Sequence, residues 1–239
     1  MTAAPTIAAP SAPTPQDLAD LAKWDTPSIC NALETIDPKY RTQFWTQEPL
    51  ICAFPELPAM VGYAVTATLR STQPGSPGRE RRLAYFDYLS KVPGPRVVLI
   101  QDLDGARAGF GAFWGEVNST VHKGLGCLGV VTSGSVRDLH AVAPGFQFLA
   151  ARVTPSHAYA DVVDFGCEVN VAGMVARSGD LIHADRHGAV VVPKDKIHAI
   201  IKAAQLIGKR EAAIMQAARK PGFTVDALRK VFAEIEQYH

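Results

Sequence analysis

Between Gly115 and Asp138 the chain reads GEVNSTVHKGLGCLGVVTSGSVRD, and both ends of this stretch carry groups that can do chemistry. Arg137 offers a planar fork of donors suited to a carboxylate. Asp138, its neighbour, is a hard oxygen ligand for a divalent cation such as Mg²⁺, which keeps several of its waters when bound. Gly115 to Asn118 open a stretch with helical spacing, and the first backbone N–H groups of a helix lack intrahelical partners, so they form a small anion site. In between, the apolar run LGVVT reads as a buried strand that stops at a polar, glycine-containing turn, SGS. An anion cradle, an arginine and a lone metal carboxylate together suit a small oxo-acid. The plainer alternative is a structural Arg–Asp pair that caps a helix.

Other polar groups compete for a role. The GFG element, Gly109 to Gly111, lacks a P-loop pattern and a tight strand–turn–helix context, so it reads as a loop near the site rather than a nucleotide cradle. No G-x-S-x-G elbow is present, which removes a serine hydrolase of that type. In HADRHG, His183, Asp185 and His187 have alternating spacing that metal ligands or acid–base groups can use, but the composition fits a hairpin turn bordering a pocket better. His122 and His140 fall on expected helices as surface or packing residues. Lys209, Arg210 and Glu211 read as a solvated helix face, and a catalytic Glu211 would have to reach another subunit's site.

The elements that must position these groups alternate through the middle of the chain. QDLADLAKW has helical spacing, and Thr26 followed by Pro27 resembles an N-cap with proline at the first helical position of PSICNALETI. Asp37 to Pro58 reads as an irregular connection. GYAVTATLR is a strand, ERRLAYFDYLSKV a helix, and RVVLIQD a short buried strand ending in an acid. The glycine-rich loop DGARAGFGAFWG leads to the central stretch. FQFLAAR, VVDFGCEVNVAGMVA, DLIHAD and AVVVP supply antiparallel-looking strands, and a long amphipathic helix runs from PKDKIHAII to Pro221. TVDALRKVFAEIEQY is the last helix. This is a mixed α/β unit without an internal repeat: a tail over 1–15, one domain over 16–220 and a C-terminal helix over 221–239.

Composition bounds the partners. A net charge of +1 gives no basic face for a nucleic acid, and the short cluster of Arg79, Arg81 and Arg82 is broken by Glu80. Cys30, Cys52, Cys127 and Cys167 form no CxxC pair, so reduced thiols are expected rather than a metal site or a disulfide framework. MTAAPTIAAPSAPTPQ lacks the features of a secretory signal and no run of about 18 apolar residues exists, so neither export nor a membrane span is expected and the default location is cytoplasmic.

Taken together, WGEVNSTVHKGLGCLGVVTSGSVRD and SGDLIHADRHGAVVVP resemble the RraA-like family, which includes the class II pyruvate aldolases. The likeness covers roughly residues 20 to 218. The family signature is an acid, twenty intervening residues, then Arg-Asp; Glu116, Arg137 and Asp138 fit that frame, with Glu where the family acid is usually Asp. The resemblance implies a swivelling β/β/α-type domain with mixed sheets flanked by helices. It also implies cleavage of 4-hydroxy-4-methyl-2-oxoglutarate or a related 2-oxo acid to pyruvate, with oxaloacetate decarboxylation at the same site. Arg137 would bind the pyruvyl moiety and stabilise its enolate. Asp138 would ligate Mg²⁺ or Mn²⁺, and backbone groups of Gly115, Glu116, Val117 and Asn118 would hold the substrate. Glu116 would order a water on the metal, helped by a glutamate from a neighbouring subunit's C-terminal helix, for which Glu211 is the best match. A homotrimer, or a hexamer built as a dimer of trimers, is implied. Other proteins of this fold regulate ribonuclease E by docking on it, so a non-catalytic regulator is the alternative. A phosphohistidine carrier of similar architecture is set aside, because no glycine-flanked histidine motif is suitably placed.

Overall fold

The computed structural model describes residues 12–75 and 78–238, so residues 1–11 of the expected tail lie outside the described residues. In chain order the helices are α1 (Pro15–Leu21), α2 (Thr26–Ile36), α3 (Gly78–Lys91), α4 (Glu116–Gly124), α5 (Ile197–Ala218) and α6 (Val225–Ile235). The strands are β1 (Ile51–Cys52), β2 (Met60–Arg70), β3 (Arg96–Asp102), β4 (Ala112–Trp114), β5 (Cys127–Val136) and β6 (Gln147–Val153). They continue with β7 (Asp161–Phe165), β8 (Val169–Val171), β9 (Met174–Ala176), β10 (Leu181–Asp185) and β11 (Gly188–Val192).

The main sheet runs β1-β6-β5-β3-β2-β10-β11, with β4 also pairing β5 and β7 also pairing β2. Strands β2, β3, β5 and β6 are mutually parallel, while β1, β7, β10 and β11 pair antiparallel. Parallel strands covered on both faces read as continuous apolar runs, and RVVLIQD and CLGVVT do so. Successive residues of β3 serve opposite faces. Val98 and Ile100 join Leu21, Ile29, Leu33, Tyr85 and Ile200 from the helices in one core. Val97 and Leu99 face a second core closed by Val169, Val171 and Met174 of the β8–β9 hairpin. The result is a mixed sheet with helices on one face and a hairpin on the other, the mixed α/β class expected from the sequence.

Several local expectations change. The SGS segment is not a turn: β5 continues through it to Val136. Four residues of β5, Thr132 to Ser135, stand opposite three of β6, Ala150 to Arg152, which is a bulge. The Ser133 hydroxyl accepts the Asp102 N–H at 2.9 Å and the Gly134 N–H donates to Thr132 Oγ1 at 2.9 Å, so side chains satisfy the backbone where the ladder slips. The cap of α2 is Asp25, whose carboxylate accepts the Ser28 N–H at 2.9 Å; Thr26 is already helical and uses its hydroxyl elsewhere. The stretch expected to be irregular holds a short 3-10 helix, Pro38–Arg41, and β1. All four cysteines are free thiols, as expected. Among the described residues no helix is long and apolar enough to cross a membrane.

Candidate functional site

Strand β5 ends where Val136 meets Trp114 of β4 on one side and Val153 of β6 on the other. The Arg137 N–H then donates to the Trp114 carbonyl at 2.9 Å, which fixes the start of the Arg-Asp pair against the residue just before α4. Asp138 adopts φ 53°, a left-handed conformation that aspartate tolerates better than most residues, and its carbonyl accepts the Ala141 N–H at 2.8 Å. That turn swings the carboxylate back onto the N-terminus of α4. Asp138 Oδ2 accepts the Glu116 N–H at 3.3 Å and lies 3.4 Å from Arg137 Nε. Both side chains are about a third exposed, at 34% and 36%.

Gly115 makes this approach available. A Cβ at this position would lie 2.4 Å from Asp138 Oδ2, closer than a carbon can sit, and a tight 3.1 Å from Arg137 Cγ. The structure thus brings Gly115, Glu116, Arg137 and Asp138 together, with Val117 and Asn118 on the same first turn of α4. Asn118 contributes its backbone only, because its side-chain amide donates to the Phe113 carbonyl at 2.5 Å. The expected cradle is partly filled: the Glu116 N–H is taken by Asp138, and the N–H groups of Val117 and Asn118 have no partner among the described residues. The Glu116 side chain is exposed at the mouth.

A buried network holds α4 from behind. His122 is fully buried, its Nδ1–H donates to the Asn118 carbonyl at 2.6 Å, and its Nε2 accepts from the Tyr85 hydroxyl at 2.9 Å. Burial pushes its imidazole down to about 4, so it stays neutral. Trp114 lies against the same ring, with centroids 4.5 Å apart. His122 is therefore a packing residue of a helix, as expected, whereas His140 sits in the turn after Asp138 and not on a helix.

HADRHG is the hairpin turn between β10 and β11, and its polar groups anchor α2. His183 is buried; its Nε2–H donates to the Trp24 carbonyl at 3.1 Å and its Nδ1 accepts from the Thr26 hydroxyl at 3.0 Å. Burial works to raise the Asp185 carboxyl, but N–H bonds from His187 and Thr26 outweigh it and hold the group below its usual range. Among the described residues no group of three or more His, Cys, Asp or Glu could hold a metal. Glu211 is exposed on α5, whose main packing partners are α1, α2 and α6, so this chain does not carry it to the pair. Sequence reasoning missed two features here: the space Gly115 leaves, and Asp138 acting as a cap for α4. Asp138 stands twenty-two positions along the chain from the N–H it binds, and no local pattern encodes such a bond.

Comparison with known proteins places these features. Residues 26–191 match the model of the RraA-like family, described as Aldolase/RraA. An uncharacterized protein of Methanocaldococcus jannaschii, MJ0644, is 32% identical over 107 residues, 44% of this chain and 51% of that protein; the chain thus spans about half the length of that curated relative. Among solved structures, an uncharacterized protein from Pseudomonas syringae superposes with a TM-score of 0.66 at 20% identity, covering 92% of this chain and 99% of the other. Streptomyces coelicolor RraAS2, described as an unusual member of the RNase ES inhibitor RraA protein family, gives 0.66 at 21% identity over 84% and 96%. At such identities these two likenesses speak for the fold, and the family model speaks for descent. The chain belongs to the RraA-like family.

Proposed function

We propose that this chain is a divalent-metal-dependent lyase that releases pyruvate from a 4-hydroxy-2-oxo acid of the 4-hydroxy-4-methyl-2-oxoglutarate type by retro-aldol cleavage, and decarboxylates oxaloacetate through the same enolate. One observation carries this reading: a guanidinium and a carboxylate 3.4 Å apart face the open N-terminus of a helix at the carboxyl end of a parallel strand, where ligands of α/β sheets bind.

The donor set fits a hard cation. Asp138 Oδ1 has no hydrogen-bond partner among the described residues, and the carboxylate is open to solvent. One carboxylate with room for retained waters suits Mg²⁺ or Mn²⁺, not a closed zinc site. When bound there, the cation would polarise the carbonyl of the 2-oxo acid as a Lewis acid.

The chain's own residues do the rest. The N–H groups of Val117 and Asn118, at the positive end of α4, hold the substrate carboxylate. Arg137 donates its fork to the pyruvyl moiety and to the oxygen that becomes negative when the C3–C4 bond breaks; such fixed donors are typically worth a hundredfold or more in rate. Glu116, at the mouth, holds the water that protonates C3 of the enolate. No lysine is needed as a Schiff base. In a homotrimer or hexamer, Glu211 from a neighbouring subunit would join Glu116 in handling that proton.

The test is pyruvate release, coupled to lactate dehydrogenase, with Mg²⁺ or EDTA present. Metal-dependent pyruvate from oxaloacetate or either branched aldol supports the reading; silence across all three from folded protein refutes it. One observation favours the other reading, a regulator docked on a protein such as a ribonuclease: Val117, Val121 and Leu139 form an exposed apolar rim beside the pair, Val117 at 73% exposure. Capture of a ribonuclease by protein that is silent in the assay would support that role.

A further inference from the structure

Far from the Arg-Asp pair, a cleft of about 330 Å³ opens where the 3-10 helix Pro38–Arg41 meets β9 and the end of the outermost strand, β11. That volume lies at the lower end of the ~300–1,000 Å³ typical of small-molecule sites. In the order β5-β3-β2-β10-β11 the two flanks are four strand spacings apart, about 19 Å at about 4.8 Å each, so the side chains of the pair do not reach it.

Phe44, Val175, Val191 and Pro193 give the cleft an apolar wall, and Tyr40 supplies a polar point on it. Tyr40 is 7% exposed, yet its hydroxyl takes part in no hydrogen bond among the described residues and is not sealed off from the cleft. A tyrosine buried to this degree usually pairs its hydroxyl, so an open one on a cavity wall marks a place for a ligand's polar atom. Burial, and then the charges of Asp37, Asp195 and Asp180, push the phenol up to about 12, so it keeps its proton and can donate.

The charged groups around the cleft are of two kinds. Lys39 is held by Asp37 at 2.8 Å and lies over the Tyr40 and Phe44 rings, 5.7 and 5.4 Å from their centroids. Arg177 is engaged by Glu168, whose Oε2 accepts from Nε and Nη2 at 2.8 and 2.7 Å. Asp180 and Lys194 are left over. Asp180 Oδ2 accepts the Arg177 N–H at 2.8 Å and Oδ1 is open, while the Lys194 ammonium donates only to the Gly179 carbonyl, at 3.3 Å. Because Gly179 precedes Asp180, the two opposite charges are neighbours, yet they form no ion pair among the described residues. In an α-amino acid both charges sit on one carbon, so groups this close can take them together while the side chain turns to the apolar wall.

We propose that this cleft binds a free α-amino acid with an apolar side chain. Its ammonium meets Asp180, its carboxylate meets Lys194 and the Tyr40 hydroxyl, and its side chain lies on Phe44, Val175 and Val191. The inference goes beyond the lyase reading and stands without it. Its competitor is a plain anion site that uses Lys194 and ignores Asp180.

Calorimetric titration tests the class with L-leucine, L-phenylalanine and three analogues. Glycine lacks the apolar side chain, 4-methylpentanoate lacks the ammonium of leucine, and 3-methylbutylamine lacks its carboxylate. Wild-type protein binds leucine or phenylalanine at least about tenfold more tightly than any analogue, the usual worth of a hydrogen bond to a charged group. Asp180→Asn keeps an acceptor for the Arg177 N–H but removes the charge; it weakens leucine about tenfold and leaves 4-methylpentanoate as it was. Lys194→Met weakens leucine and spares 3-methylbutylamine, and Tyr40→Phe, which keeps the buried ring, weakens both carboxylates alike. Thermal unfolding of the same samples checks the fold, and the analogue series on wild-type protein decides the class even where a variant fails to fold. Arg137→Ala binds leucine as the wild type does; a loss there would move the ligand to the Arg-Asp pair and overturn the assignment. 4-Methylpentanoate that matches leucine, or no binding of either amino acid, would overturn it as well. Absence of pyruvate release bears on the lyase reading alone, since every readout of the cleft is binding.

Discussion

Gly115→Ala probes how closely the site is built. The glycine has φ −165°, extended backbone that any residue adopts, so the added methyl brings no backbone strain. It does bring a collision, 2.4 Å from Asp138 Oδ2, where ordinary contact begins at 3.4 Å. Asp138 must retreat by about 1 Å, a displacement that costs roughly a hundredfold when it falls on reacting groups. Its bond to the Glu116 N–H, already 3.3 Å long, is lost. Because the carboxylate is a third exposed, it can turn into solvent, and the fold gives up about 1 kcal/mol or less. The assay is kcat and KM for pyruvate release at saturating Mg²⁺, with thermal unfolding of the same samples. The expected outcome is a loss of about a hundredfold, or about 2.7 kcal/mol of barrier, with an unchanged melting temperature. A folded variant that loses less than about tenfold would show that Asp138 and Arg137 do not flank the reacting atoms. A variant that melts early would refute the claim that the collision stays local.

The other predictions concern single side chains. Arg137→Ala removes the donors at the developing oxyanion and lowers kcat by about a hundredfold or more. Its melting temperature stays put, since a partly exposed ion pair contributes only about 0–1 kcal/mol. Glu116→Gln leaves the backbone N–H in place and lowers kcat by about a hundredfold with KM unchanged, the pattern of a lost proton-transfer group. His122 supplies a pH test. Burial lowers its folded value from 6.5 to about 4, so as pH falls the unfolded chain takes up the proton first. Its contribution to stability is complete above 6.5 and drains away toward 4, to a total of roughly 3 kcal/mol. Denaturant melts across this window should show that loss, reduced in His122→Asn; His183 is shifted the same way by burial and keeps part of the slope in the variant. An acid slope identical in the two proteins would contradict the buried neutral imidazole.

What the sequence discloses follows from the range of the forces involved. The apolar runs of β3 and β5 are visible because both faces of a central parallel strand are covered, and α4 is visible because a helix repeats within a few residues. Arg137 and Asp138 stand out because they are adjacent and follow such a strand. HADRHG is legible as a hairpin for the same local reason. SGS misleads because glycine and serine also mark turns, and only the pairing with β6 shows that Gly134 sits in a bulge. The capping of α4 by Asp138 and the hydroxyl of Thr26 turned to His183 across 157 residues both depend on contacts between segments distant in sequence. Glu211 is the opposite case: the helix that carries it is readable, but its single-chain packing gives it no route to the pair.

Asp138 carries a tension that explains why the site is assembled as it is. Its carboxylate caps the positive end of α4 and neighbours Arg137, so in this arrangement it holds the place a substrate carboxylate would take. A dianionic ligand approaching Val117 and Asn118 would meet that negative charge first. In the proposed reading, a divalent cation held by Asp138 would reverse the sign of the local field, and the carboxylate would anchor an attraction instead of being the source of a repulsion. The same carboxylate satisfies the helix end, and in the proposed reading it would make anion binding conditional on the metal. The close approach of Asp138 to the helix end uses the space a Cβ at Gly115 would fill, 2.4 Å from Asp138 Oδ2, so only a residue without a Cβ leaves that carboxylate where it is.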